Sequence, residues 1–271
     1  MSQTNLKVKL IAHTPDAEKV IASSARLCYS PVGVEEIQEG LTQEKIDKFL
    51  NHLIEIGHES PLEHCGFSFA VEGVSRITEI QLIRHRIASY SIQSGRYVNR
   101  KSPNFITPPR IKESELANKV FEDVCKASIE AYNNLFLILM LRQIGYTDDF
   151  IETLDIDKRI EIVANFNEND KDQYKVYEKK AIEDSRYAHL QSLETKIMLT
   201  MNIRSLINFF RHRCCFRSQW EIRQLAMQML KECKRVCPTI FKNVGSPCVM
   251  SGICKEGNMQ CEELKGKIPI K

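Results

Sequence analysis

The sequence has almost no surplus of charge: 38 lysines and arginines against 35 aspartates and glutamates leave a net +3 over 271 residues. A protein that coats nucleic acid through a general positive field needs a larger excess, so any such field here is local. No run of about 18 apolar residues suited to a bilayer is evident, and the opening MSQTNLKVKLIAH lacks the apolar stretch and cleavage site of an export signal. Both absences predict a cytoplasmic chain without a membrane partner. Also missing are an internal repeat, a GxGxxG dinucleotide fingerprint, an HExxH zinc motif and paired CxxC knuckles. Ten cysteines without an export signal are expected as reduced thiols, because the cytosol keeps thiols reduced.

What the chain does have is an ordinary globular composition, 43% hydrophobic and 27% charged, with enough length to bury a core. Its densest stretch is RHRIASYSIQSGRY, residues 84 to 97. Arg84, His85 and Arg86 stand in a row, with Ser89, Ser91, Ser94 and Arg96 close behind. Guanidinium forks bind phosphate oxygens bidentately and stack on planar rings, and the backbone at Gly95 permits close approach. A nucleotide is the natural ligand for such an array.

Alternation over Leu6–Leu10 predicts a strand. Thr14-Pro15 predicts a helix start running to about Tyr29, residues 30 to 41 a loop, and Thr42 the cap of a second helix ending at Gly57. The turn HESPLEH leads into a strand through Phe67, Phe69 and Val71; its histidines and carboxylates are explained without a metal. Ser75 caps a helix with apolar positions Ile77, Ile80 and Ile83, on which Gln81, Arg84 and His85 share a face. Residues 113 to 144 read as a long helix, 146 to 180 as a polar, charge-rich excursion whose apolar residues fit short helices, and about 175 to 190 as a further helix. A strand over Ile197–Met201 delivers Asn202 as the cap of a helix bearing Arg204, Asn208 and Arg213, where helix N–H groups favour an anion. A capping box from Ser218 to Glu221 opens the last helix. Arg100 and Arg217 are expected as surface charge, Cys214 and Cys215 have no histidine pattern that would make them nucleophiles, and the gaps between Cys237, Cys248, Cys254 and Cys261 do not signal zinc. The domain expectation is one domain over 1–240 with a Cys-containing tail over 241–271.

RHR followed by seven residues and Ser resembles the signature of flavin-dependent thymidylate synthases, and HESPLEH, Arg186 in EDSRY, NIRSLINF and QWEI match in the family's order. The resemblance implies an α+β fold with a mixed curved sheet and flanking helices. It implies a methyltransferase that converts dUMP to dTMP with FAD, methylenetetrahydrofolate as carbon donor and NADPH as reductant, in a homotetramer whose sites are shared between subunits. By the same resemblance His58, Ser60, Arg84, His85, Arg86, Asn202, Arg204 and Asn208 would contact FAD. Gln81, Arg84, Ser94, Gly95, Arg96, Arg186 and Arg213 would hold dUMP, with Arg213 the catalytic cation and no enzyme nucleophile. Ser91 stands where the longer signature has Asn, and Ile92 where a characterised branch of the family has a Glu near flavin and nucleotide. One alternative is a flavin- and nucleotide-binding protein that has lost methyl transfer. Another is a single-stranded nucleic-acid binder stacking bases on Tyr90, Tyr97 and Phe209.

Overall fold

The computed structural model describes residues 5–99 and 101–270. In chain order the elements are β1 (Lys7–His13), α1 (Ala17–Leu27), α2 (Val34–Glu39), α3 (Gln43–Glu55), β2 (Gly66–Ser75), α4 (Arg76–Leu82) and β3 (Ser89–Ile92). There follow α5 (Pro109–Lys112), α6 (Glu115–Ile144), α7 (Asp148–Glu152), α8 (Ile156–Asn169) and α9 (Lys171–Ser185). The last are β4 (Glu194–Asn202), α10 (Ile203–Arg213), α11 (Trp220–Val236), α12 (Pro238–Phe241) and α13 (Pro247–Ser251). The fold is α+β, as expected. The chain forms two compact units, one of Leu6–Val74, Thr78–Ser91 and Lys196–Lys271, the other of Met1–Asn5, Ser75–Ile77 and Ile92–Thr195.

The first unit is built on a four-stranded sheet in the order β1-β2-β4-β3. β1 and β2 pair antiparallel, with an irregularity between Leu10 and Ala12. β2 and β4 also run oppositely, since Ser68 meets Thr200 at 2.8 Å while Glu72 meets Lys196 at 3.6 Å. The period-two alternation of β2 buries Phe67, Phe69 and Val71 on one face. There Phe67 meets Phe241 edge-on at 6.0 Å, and Phe241 meets Phe210 of α10 at 6.1 Å. Each such buried ring contributes about 1.5–3 kcal/mol by leaving water.

Local chemistry departs from expectation in four places. Thr14 does not cap α1: its hydroxyl accepts from Gly66 N–H at 3.0 Å and so ties β1 to β2, while Asp16 takes the cap position at φ 46°. The expected loop over 30–41 contains α2. Ser218 does not open α11, because its hydroxyl donates to the His212 carbonyl and the Gln219 side chain accepts from Glu221 and Ile222 N–H instead. On α4 the residues that go inside are Thr78, Glu79 and Leu82, whereas Ile77 and Ile80, and Ile83 just past its end, are exposed. Thr42 and Asn202 do cap their helices, and Gly57 ends its own at φ 72°.

The second unit is helical. α6 is long and apolar enough to cross a membrane by length and composition, contrary to the sequence expectation of no such segment. Its buried Phe136, Leu137, Met140 and Leu141 pack with Ile151, Val163, Ala181 and Ile182 from α7, α8 and α9, as a core helix does. The polar excursion over 146–180 is therefore three helices with a shared apolar core.

Candidate active site

In the sheet unit a cleft of ≈ 560 Å³ is lined by Arg84, His85, Arg86, Asn202, Arg204, Ser205, Asn208 and Arg211, with Glu59 and Glu63 at its edge. Six of the eight residues expected to contact flavin are in it. His58 and Ser60 are not among its lining residues; both are exposed, His58 just beyond α3 and Ser60 at the start of the 3-10 turn Ser60–His64. Asn202 caps α10 by accepting from Ser205 N–H at 2.8 Å, which aims the first turn of that helix and Arg204 at the cleft.

The RHR turn is pinned from below. The Tyr90 hydroxyl lies 2.9 Å from the Leu82 carbonyl oxygen and 2.8 Å from that of His85, and burial pushes its pKa up to about 12. Sequence reasoning missed this residue as part of the site; its place one strand position beyond the turn was the available signal. Arg213 reaches back across the unit, its Nε donating to His85 Nε2 at 3.0 Å and its Nη2 to the Gln81 carbonyl at 3.5 Å. His85 is thus the acceptor, with its own proton on Nδ1. Burial, then the Arg213 and His212 charges, lowers the His85 pKa to about 4, and its ring stands edge-on to Phe209 at 4.9 Å. Burial and the neighbouring Arg84 lower the pKa of Arg213 in turn.

Glu59 and Glu63 were noted in the sequence only as part of a polar turn. In the structure the Arg204 Nε donates to Glu59 at 3.2 Å and its Nη1 to Glu63, while Arg211 lies 4.0 Å from Glu59. Among the described residues no group of three or more His, Cys, Asp or Glu assembles as metal ligands. Burial pushes the Cys214 thiol up to about 11 and raises Cys215 as well, so neither is poised as a thiolate.

The remaining expected nucleotide contacts belong to the helical unit. A pocket of ≈ 320 Å³ there is lined by Gly95, Arg186, Tyr132, Tyr187 and His189 among others. Arg186 lies against the loop at Gly95, where an added Cβ would stand 3.4 Å from its Nη1. The Ser94 hydroxyl accepts from Arg96 N–H at 3.1 Å, and the Arg96 guanidinium is paired with Glu183. Of the aromatics suited to base stacking, Phe209 is fully buried and Tyr90 half-buried, leaving Tyr97 exposed. Arg217 pairs with Glu256 at the surface; Arg100 lies outside the described residues.

The family model for "Thymidylate synthase complementing protein" matches residues 9–239. A flavin-dependent thymidylate synthase of Clostridium tetani is 49% identical over 256 residues, covering 94% of this chain and 93% of the relative. One from Geobacter sulfurreducens is 39% identical over 258 residues, with 94% of each chain covered, and one from Sulfurisphaera tokodaii is 34% identical over 90% of this chain and 80% of its own. On a match that spans nearly the whole chain, from β1 to α12, this protein belongs to the flavin-dependent thymidylate synthase family.

Proposed function

We propose that the chain methylates dUMP to dTMP with bound FAD, drawing the one-carbon unit from methylenetetrahydrofolate and reducing equivalents from NADPH. The observation that carries this reading is Arg213, a half-buried cation held at two points, by His85 Nε2 and the Gln81 carbonyl, in the same unit as a basic cleft. The donor set of that cleft fits a flavin dinucleotide. Arg84, Arg86 and the first turn of α10 supply what a diphosphate needs, and Asn202, Arg204 and Asn208 add donors for its sugar and rings. His58 and Ser60 would join them from the adjoining turn.

When bound, FAD supplies the redox chemistry that the side chains lack. The chain's own part is binding, orientation and charge. Gln81, Arg84, Ser94, Gly95, Arg96 and Arg186 would hold the nucleotide, the arginines serving its phosphate. Arg213 would stand beside the uracil, where a fixed cation stabilises negative charge on N3 and O4 and so makes C5 the nucleophile. His85 keeps that guanidinium aimed, and its lowered pKa keeps it a neutral acceptor near pH 7. The raised thiol pKa values of Cys214 and Cys215 support a reaction without an enzyme nucleophile.

A homotetramer with shared sites is part of the proposal. Ile80 on α4, with Ile83 and Ile87 (77% exposed) past its end, form an apolar group beside the RHR turn that a second copy would cover. Ten free cysteines support a reducing, cytoplasmic setting. Arg213→Ala should abolish dTMP formation, a loss of at least about 10²-fold by analogy with other fixed transition-state charges, while the protein stays yellow with FAD. Turnover at the wild-type rate in that variant would remove Arg213 from the chemistry.

A further inference from the structure

The helices over 146–185 are well packed, yet nothing in the proposed reaction uses them. α9 is anchored by Ala181 and Ile182, both buried against α6. From that fixed base it grips the loop Ser94–Asn99 at three points. Arg96 donates from Nη2 to Glu183 at 3.0 Å, with Nε 2.9 Å from the second carboxylate oxygen. The Lys179 ammonium sits 4.9 Å from the Tyr97 ring centroid. Asn99 donates to Glu178 at 3.5 Å and accepts from the Tyr132 hydroxyl at 3.2 Å. Directly after α9, Arg186 lies against Gly95. A loop containing glycine would otherwise sample many conformations, and each contact removes some of that freedom before a ligand arrives.

The Arg96–Glu183 contact has a particular geometry. It is side-on, using Nε and Nη2, so three of the five guanidinium N–H donors remain for a second anion. We propose that Glu183 is a positioning residue for nucleotide binding: it holds Arg96 so that the unused edge of the guanidinium receives the nucleotide phosphate, and α9 exists to carry that clamp. This rests on the dUMP reading above. The carboxylate touches no reacting atom; it fixes the orientation of the group that does the binding, as preorganised sites require.

The test is equilibrium binding of dUMP and of deoxyuridine, which lacks the phosphate, to flavin-loaded wild-type protein, Glu183→Gln, Arg96→Ala and the double variant. Glutamine keeps the size but loses the charge and one of the two bonds, since its NH₂ faces a donor. Glu183→Gln should bind dUMP about three- to tenfold more weakly, the loss expected for one net hydrogen bond, and deoxyuridine unchanged. In the Arg96→Ala background the same change should have no effect on dUMP. Tighter dUMP binding in Glu183→Gln would make the carboxylate a competitor and overturn the proposal. So would equal losses for both ligands, which mark a merely structural role, or no change in either. Failure of the wild-type protein to bind dUMP at all would instead overturn the reading on which it rests, and the proposal with it.

Discussion

At His85 a hydrogen bond and a titration are coupled. The imidazole accepts from Arg213, and its pKa falls from 6.5 to about 4, mainly through burial and then through the Arg213 and His212 charges. In the unfolded chain the ring takes its proton near pH 6.5. Between about pH 6.5 and 4 the unfolded state therefore binds more protons than the folded one, and stability falls as the medium is acidified through that window. Above pH 6.5 the two states agree and His85 contributes no slope. Denaturant melts from pH 7.5 to pH 4.5 should show this loss, and His85→Gln should flatten it. Equal acid slopes in both proteins would take His85 out of the response. Chemistry at this scale was partly legible: RHR, Arg186 and Arg213 stand out as residues. That His85 serves Arg213 was not, because the two are 128 positions apart and only the fold joins them.

Helix α10 shows what an element's own sequence can fix. Asn202 supplies the cap, Leu206, Phe209 and Phe210 the buried stripe, and Arg204, Asn208 and Arg211 the face that lines the cleft. Asn202→Ala should destabilise the fold by about 1 kcal/mol and weaken FAD binding, because the turn bearing Arg204 frays. Thermal melts with FAD titrations check both; a stability loss with FAD affinity intact would separate the cap from the site. Elsewhere local signals misled for identifiable reasons. Ser218 to Glu221 has the form of a capping box, but the Ser218 hydroxyl is taken by the His212 carbonyl and Gln219 caps one residue later. On α4 the isoleucine spacing correctly marks a helix with an apolar face. Periodicity says only that a face seeks cover; in one chain Ile80 and Ile83 remain exposed. The short helices of the 146–180 stretch were legible, but its charge count hid the few residues, Ile151 and Val163 among them, that seat it.

For the whole molecule, the α+β class, three of the four strands and the longer helices were readable, but the short strand β3 and the partition into two units were not. The nucleotide contacts expected from the sequence divide between them: Gln81, Arg84 and Arg213 in the sheet unit, Ser94, Gly95, Arg96 and Arg186 in the helical one. Contacts such as Arg204 with Glu59, 145 positions apart, follow from topology that no local spacing encodes. The replacements at Ser91 and Ile92 fall in β3, where the structure gives neither a role in either pocket. Whether methyl transfer survives them is the central question. The most direct measurement is anaerobic: reduce the flavin of the purified protein, add methylenetetrahydrofolate with and without dUMP, and follow flavin reoxidation together with dTMP. The account predicts a yellow tetramer whose flavin reoxidises with formation of dTMP only when both substrates are present. A protein that binds FAD and dUMP but makes no dTMP would contradict it.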